Sequence, residues 1–134
     1  MSIDNSVHTA KLDVNHLNDD SYGATGRREF LKYRDLGLAN ATDGRFRATM
    51  MRSEAKTEET GWHYHECEVQ FIYIVDGWVE LEFEGGRIER LEKGSSMTIP
   101  GGMLHNETAM ADNFEVFEFC SPSDMGTVAV EAPA

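Results

Sequence analysis

Four side chains in this sequence combine metal-binding chemistry with spacings that could bring them to one point. His63 and His65 are two residues apart, so on an extended strand both imidazoles point to the same face. Gln70 begins the strand after a short turn, which can bring its side-chain carbonyl to that side. His105 follows the turn Pro100-Gly-Gly102, which could direct it back across a barrel. The sequence therefore predicts a metal site formed by His63, His65, Gln70 and His105.

Other interpretations of these residues stay open. A single histidine is more often an ordinary core or surface residue, but two at strand spacing beside a third after a Pro-Gly turn favour a site. Cys67 shares the strand parity of His63 and His65, so a His-His-Cys zinc site is conceivable. Glu68 is an alternative carboxylate ligand, although its strand parity is opposite to that of His65.

No general base can be assigned from the sequence. Tyr64, Glu66 and Glu68 are candidates only because they lie near the histidines along the chain. A base has to be chosen by its distance to a bound substrate, which the sequence does not contain.

Composition limits the classes of function. A chain of 134 residues is long enough for one domain with its own core. The net charge of −12, with no cluster among the 12 Lys and Arg residues, argues against nucleic-acid binding. We see no secretory signal and no run apolar enough to span a bilayer, so we expect a cytoplasmic protein. Cys67 and Cys120 are then expected to be reduced thiols, although one bridge between them stays possible.

Short strands separated by glycine turns dominate the pattern. Val79, Leu81 and Phe83 alternate with glutamates, which predicts a half-buried strand whose carboxylates face water rather than forming an acid–base pair or a calcium site. Further strands are predicted near 46–51, 71–75, 97–99 and 113–120. Regular spacing of this kind is typical of a sandwich or barrel, so the predicted class is all-β.

The remaining segments are less regular. Residues 28–38 could form a short helix or a strand followed by a turn, and Asp43-Gly44 predicts a turn before the next strand. We expect residues 1–25 to be a mobile or loosely docked arm, residues 26–124 to form the barrel and residues 125–134 a C-terminal tail. His8 and His16 lie on the arm, where no rigid frame orients an imidazole, so they are not expected to bind the ion.

Two stretches of the sequence resemble the two motifs of the cupins, which are small jelly-roll barrels (double-stranded β-helices). The first cupin motif runs Gly-x5-His-x-His-x(3 or 4)-Glu-x6-Gly, and the second runs Gly-x5-Pro-x-Gly-x2-His-x3-Asn. The resemblance covers roughly residues 45–120 and implies a cupin-type barrel. The matching positions are His63, His65 and Gly77 in the first motif, and Gly94, Pro100, Gly102 and His105 in the second.

The sequence departs from the cupin pattern at three positions. Thr57 replaces the first glycine of the first motif, and Ala109 replaces the final asparagine of the second motif. These two replacements affect turns and packing. Gln70 stands where the motif has glutamate, which concerns chemistry. Three neutral imidazoles and an amide leave a divalent ion with its full charge, which favours Lewis-acid chemistry over the stabilisation of higher oxidation states.

The resemblance implies an expected function. Some cupins that linearise unsaturated uronates are similar in using three histidines and a glutamine. We therefore expect a metal-binding cupin enzyme acting on a small organic molecule, by isomerase, lyase or ring-opening chemistry or as a dioxygenase. The expected cofactor is a divalent transition metal, Fe, Zn, Ni or Mn. The alternative is a non-catalytic cupin that binds or senses a small ligand, with the metal structural or absent.

A second subunit is the expected protein partner. Residues 71–75 are apolar on both strand faces, so one face lines the barrel and the other must be covered by the N-terminal segment or by another subunit. Homodimers are formed by many cupins, and the resemblance implies one here.

Overall fold

Two antiparallel sheets make up the domain. The computed structural model describes residues 9–25, 28–54 and 58–134. The strands are β1 (Ala24–Thr25), β2 (Leu31–Asp35), β3 (Arg47–Ser53), β4 (His63–Glu66), β5 (Val69–Asp76), β6 (Trp78–Phe83), β7 (Ile88–Glu92), β8 (Ser96–Pro100), β9 (His105–Met110), β10 (Glu115–Ser121) and β11 (Gly126–Ala129), with one short helix, α1 (Leu38–Ala41). One sheet has the order β1-β2-β3-β10-β5-β8 and the other has the order β11-β4-β9-β6-β7.

The core lies between the inner faces of these sheets. In β6, Val79, Leu81 and Phe83 are buried while the residues between them are partly exposed, as their alternation predicts. Strand β5 of the other sheet contributes Ile72 and Ile74 to the same cluster. Burying one such side chain stabilises the fold by about 2 kcal/mol, so the alternating strands hold the sheets together. The all-β prediction is confirmed.

The segment that the sequence left ambiguous is a strand followed by a turn. Residues of β2 pair with β3 along their whole length, with Leu31 opposite Ser53 and Asp35 opposite Thr49. Gly37 then adopts a φ of 88°, which ends the strand and opens α1, a helix of one turn. Asp43 and Gly44 both have positive φ values and form the turn that leads into β3.

Residues 9–18 run without regular structure beside α1 and β2. The Asn40 amide donates to Asp13 Oδ2 at 3.0 Å, and Arg34 Nη2 donates to Asn15 Oδ1 at 2.9 Å. Polar contacts therefore hold this segment to the domain, whereas its large apolar side chains point into solvent. These exposed side chains are Leu12, Val14 and Leu17.

The C-terminal segment contributes a strand that the sequence analysis did not predict. β11 pairs with β4 in antiparallel register, with Thr127 opposite His65 and Ala129 opposite His63. The small and polar residues of 126–129 carry little hydrophobic pattern, so only the free edge of β4 defines this strand. No helix in the described part of the chain has the length and apolarity needed to cross a bilayer.

We expect Leu81→Ala to lower the free energy of unfolding by about 3 kcal/mol, because it removes a fully buried side chain and leaves a cavity between the sheets. Chemical denaturation measures this change. The matched control is Ile88→Ala, since Ile88 is 61% exposed, and it should change stability by less than about 0.5 kcal/mol. Equal losses in the two variants would contradict the assigned core.

Candidate metal centre

Three histidines from two neighbouring strands converge inside the domain. His63 and His65 lie on β4, and His105 lies on β9 directly opposite His63. The ring centroids are 4.3 Å apart for His63 and His105, 5.0 Å for His63 and His65, and 5.3 Å for His65 and His105. One nitrogen from each ring lies within 4.8 Å of the other two. The structure thus brings together three of the four predicted ligand residues at a spacing that fits one ion.

Backbone carbonyls set the tautomers of two of these rings. His63 Nδ1 lies 2.6 Å from the Gly61 carbonyl oxygen, and His105 Nδ1 lies 2.9 Å from that of Met103. Because a carbonyl oxygen can only accept, each Nδ1 carries the proton and donates it. Nε2, with its lone pair, is then the nitrogen that each ring can offer to an ion, as is usual for metal-bound histidines.

His65 is oriented by the C-terminal strand. Its Nδ1 lies 2.9 Å from the hydroxyl oxygen of Thr127 on β11. Burial, and then the neighbouring His63 and His105, lower the pKa of the His65 imidazole to about 4. The ring is therefore neutral at neutral pH, which is the form that binds metal.

Gln70 approaches the cavity from the opposite sheet. It lies on β5, is buried, and donates through Nε2 to Glu118 Oε2 at 2.7 Å. Its Oε1 atom is buried without a hydrogen-bond partner in the described part of the chain, and so is Nε2 of His105. Both atoms are acceptors, and an unsatisfied buried acceptor costs about 1–3 kcal/mol. A cation held by the three imidazoles would satisfy Nε2 of His105, so the histidine group fits a metal ion.

Glu107 is a carboxylate that the sequence analysis missed. Its Oε2 atom lies 3.6 Å from His63 Nε2, its Oε1 atom lies 3.8 Å from His105 Nε2, and it is hydrogen-bonded to the Thr60 hydroxyl. Burial alone would raise the pKa of the Glu107 carboxyl. The neighbouring His63 and His105, together with this hydrogen bond, outweigh burial and hold that pKa below its usual range. His105 and Glu107 are two residues apart, so on a strand they point to the same face, as His63 and His65 do. This spacing could have identified Glu107 from the sequence.

Glu118 is the second carboxylate absent from the sequence analysis. It lies on β10, and its Oε1 atom is 3.2 Å from Arg47 Nη2 on the neighbouring strand β3. Glu118 lies on the same face of β10 as the buried residues Val116 and Cys120, so its acidic side chain points inward. Glu107 and Glu118 both line the cavity, so carboxylates lie close to the predicted ligands although the predicted ligand set contains none.

The cavity has a volume of about 390 Å³, which falls within the range of small-molecule sites. Carboxylates outnumber cations in the cavity lining. The lining contains one guanidinium, that of Arg47, and three carboxylates, those of Asp35, Glu107 and Glu118. The lining also includes apolar and sulfur-containing side chains, namely Leu31, Tyr33, Met51, Met110 and Met125.

The other residues proposed from sequence lie elsewhere. Tyr64 occupies the face of β4 opposite the histidines, and Glu66 and Glu68 are exposed. None of the three lines the cavity, so their role as bases stays a prediction from sequence proximity. Cys67 is outside the histidine group, and burial raises the pKa of its thiol. His16 is exposed. His8 lies outside the described residues.

Comparisons with known proteins bear on the family and the fold of this chain. The family model described as cupin domain matches residues 49–116. The polyketide synthase CurC of Streptomyces cyaneus is 28% identical over 99 residues, which are 70% of this chain and 62% of that protein. This chain thus spans less than two thirds of that relative's length.

Solved structures share the fold. The polyketide cyclase RemF from Streptomyces resistomycificus has a TM-score of 0.63 at 22% identity, covering 78% of this chain and 74% of that one. A salicylate 1,2-dioxygenase from Pseudoaminobacter salicylatoxidans, solved with gentisate, has a TM-score of 0.61 at 18% identity, covering 78% and 30%. At these identities the likeness concerns the fold, a cupin-type jelly-roll barrel.

The metal-free protein is expected to lose stability as the pH falls from about 6.5 to about 4. In this window the unfolded state protonates His65 and the folded state does not, so unfolding binds a proton and becomes easier as the pH falls. The loss amounts to roughly 3 kcal/mol. Chemical denaturation after treatment with a chelator measures it. His65→Gln should flatten the pH dependence, and the exposed control His16→Gln should leave it unchanged. An equally steep curve for H65Q would contradict the assignment.

Proposed function

This chain belongs to the cupin domain family, and we propose that it is a metal-dependent enzyme that acts on a small, neutral, oxygen-rich molecule. The ion is a divalent transition metal, Fe, Zn, Ni or Mn, held by His63, His65, Gln70 and His105. The observation that carries this proposal is the convergence of three buried imidazoles, with Nε2 of His105 left without a hydrogen-bond partner in the described residues. Gln70, whose buried Oε1 is also unpaired, lines the same cavity as His63 and His65. When bound, the ion would act as a Lewis acid that polarises a substrate oxygen.

The charges of the cavity favour a neutral substrate. Three carboxylates and one guanidinium line it, so the chain contributes a net charge of about −2 before an ion of opposite charge is added. An anionic substrate such as a uronate would meet Glu107 beside the histidines and be repelled. A ketone, enol or phenol can reach the same point without that repulsion.

The apolar side chains of the cavity wall favour a planar substrate. Met51, Met110 and Met125 contribute polarisable thioethers to the lining, and Tyr33 contributes an aromatic ring. Thioethers adapt to irregular shapes and make favourable contacts with aromatic rings. Together with the polyketide synthase and polyketide cyclase among the similar proteins, this wall supports a chain of alternating carbonyls, or the phenolic rings that form from it, as the substrate class.

The reaction that we propose is ring closure of such a chain. A carbon between two carbonyls loses a proton and forms a carbon–carbon bond to the carbonyl carbon five positions further along the substrate, which closes a six-membered ring. The oxygen of that carbonyl takes up a proton, and loss of the resulting hydroxyl with a ring hydrogen as water leaves a double bond in the ring. This step needs no oxidant. The protein must orient the substrate carbonyls and accept the proton that the substrate carbon loses. Glu107 is the better candidate acceptor than Tyr64, Glu66 or Glu68, because it lines the cavity beside two imidazoles.

We further propose that two copies associate through the outer face of the six-stranded sheet. Phe71 lies opposite Phe119 and Tyr73 opposite Phe117, on the strand faces that point away from the core. These rings are only partly covered, and Tyr73 is 43% exposed. An apolar sheet face of this kind is typical of an interface between subunits.

The cytoplasm is the location that we propose. Cys67 and Cys120 are both free thiols, which suits a reducing compartment.

Metal analysis tests the site. We expect the purified protein to hold about one ion per chain, and the His63→Ala, His105→Ala double variant to lose it, because two of three imidazoles are removed. Elemental analysis of both proteins decides this. His16→Ala, at an exposed position, is the control and should retain the ion. Equal metal content in the double variant and the unaltered protein would refute the site.

Turnover tests the reaction class. The metal-loaded protein is expected to cyclise a synthetic chain of four alternating carbonyls without consuming dioxygen, and Glu107→Gln should lower kcat by at least about 100-fold if that carboxylate accepts the proton. Chromatography measures the cyclised product, and an oxygen electrode measures the consumption of dioxygen. Dioxygen consumption with a dihydroxybenzoate would instead support the dioxygenase. Turnover of a uronate would contradict the charge argument, and metal binding without turnover of any of the three would favour a binding module.

Sedimentation velocity tests the dimer. Tyr73→Glu places a charge in the centre of the proposed interface, so the dimer is expected to dissociate at micromolar concentration while the fold persists. Ile88→Glu, on a strand of the other sheet, is the control and should leave the dimer intact. A monomeric unaltered protein would refute the interface.

A further inference from the structure

We propose that Glu118 is a positioning residue that selects the orientation of the Gln70 amide, so that Gln70 presents its oxygen to the ion. This inference rests on the proposed metal site and adds to it a residue outside the four proposed ligands. Gln70 departs from the glutamate of the cupin pattern, and the negative charge expected at that position lies instead on its neighbour Glu118.

The hydrogen bond between the two side chains permits one amide orientation. A primary amide has a donor end and an acceptor end, and rotation by half a turn exchanges them. Gln70 Nε2 lies 2.7 Å from Glu118 Oε2. An ionised carboxylate can only accept, so the flipped amide would place two acceptors against each other at this distance. Glu118 therefore keeps the nitrogen of Gln70 on its own side and turns Oε1 away.

Glu118 is itself held in place by Arg47. Arg47 Nη2 lies 3.2 Å from Glu118 Oε1, and Arg47 Nη1 donates to the carbonyl oxygen of Ser123 at 3.1 Å. The side chains of Glu118 and Gln70 are buried, so the hydrogen bond between them is stronger than the same bond would be in water. Both oxygens of Glu118 are thus engaged, one by Arg47 and one by Gln70. Glu118 is thus held between Arg47 and Gln70, in a position from which it orients the Gln70 amide.

Sheet register places the three side chains in one row. β10 lies between β3 and β5, and Cys120 on β10 is opposite Arg47 on one side and Gln70 on the other. Glu118 is two residues from Cys120 on the same face, so it lies diagonal to both partners and within reach of both. The row Arg47, Glu118, Gln70 is therefore built into strand pairing and does not depend on a mobile loop.

The geometry of Gln70 Oε1 shows the result of this arrangement. The atom is buried without a hydrogen-bond partner in the described residues, and the side chain lines the same cavity as His63 and His65. If Glu118 did not hold the amide, Oε1 could turn to find a donor elsewhere. The restraint therefore keeps an oxygen available to the ion at the cost of a buried acceptor in the metal-free protein.

Exchange of the two side chains tests the proposal. Glu118→Gln replaces a pure acceptor with an amide that can pair with Gln70 in either orientation, so Co²⁺ affinity should fall by about 10- to 100-fold. Gln70→Glu alone sets two carboxylates against each other and should also weaken binding. The double variant Q70E/E118Q restores one donor facing one acceptor, and its Co²⁺ affinity should return to within about threefold of the unaltered protein. Titration calorimetry and the visible Co²⁺ spectrum measure affinity and coordination.

The controls separate this inference from the metal site itself. If the unaltered protein binds no Co²⁺, the proposed function fails; if it binds Co²⁺ and E118Q binds with unchanged affinity and spectrum, only the role of Glu118 fails. Glu115→Gln, at a partly exposed position on the same strand, should leave binding unchanged, and circular dichroism of the metal-free variants reports folding. Should E118Q fail to fold, Q70E and Q70E/E118Q are compared: tighter binding by the double variant supports the proposal, and equal binding overturns it.

Discussion

The need to satisfy buried polar atoms governs the interior of this barrel. Three imidazoles, an amide and a carboxylate are buried among apolar residues, where an unpaired acceptor is costly. Carbonyl oxygens and a hydroxyl lie against the outer nitrogens of the imidazoles, a guanidinium pairs with Glu118, and Glu118 accepts from the amide nitrogen. Gln70 Oε1 and His105 Nε2 are buried without hydrogen-bond partners in the described residues. The three imidazoles are grouped at a spacing that fits a positive ion.

Both sheets contribute to this arrangement, and each contributes a different part. Strands β4 and β9 supply the histidines, and β11 orients one of them through Thr127. Strands β3, β10 and β5 supply the row that ends in Gln70. Because the core between the sheets fixes their separation, the distance between the imidazoles and the amide is set by packing far from the site.

Fold and function are related here through charge. The ligands proposed for the ion are neutral, and the carboxylates Glu107 and Glu118 lie next to them. They would partly compensate the charge of an ion bound there, so its Lewis acidity would be lower than neutral ligands alone would leave it. The same carboxylates give the cavity lining its excess of negative charge.

The sequence by itself determined the strands with clear alternation, such as β6, and the same-face placement of His63 and His65, because strand periodicity is a local property. Tertiary structure alone decided which atoms face each other across the barrel. Glu107 and Glu118 gained their importance from neighbours on other strands, and β11 formed only because β4 offered a free edge. Such contacts join residues far apart in the chain, and their physical cause is register and packing, which no local pattern contains.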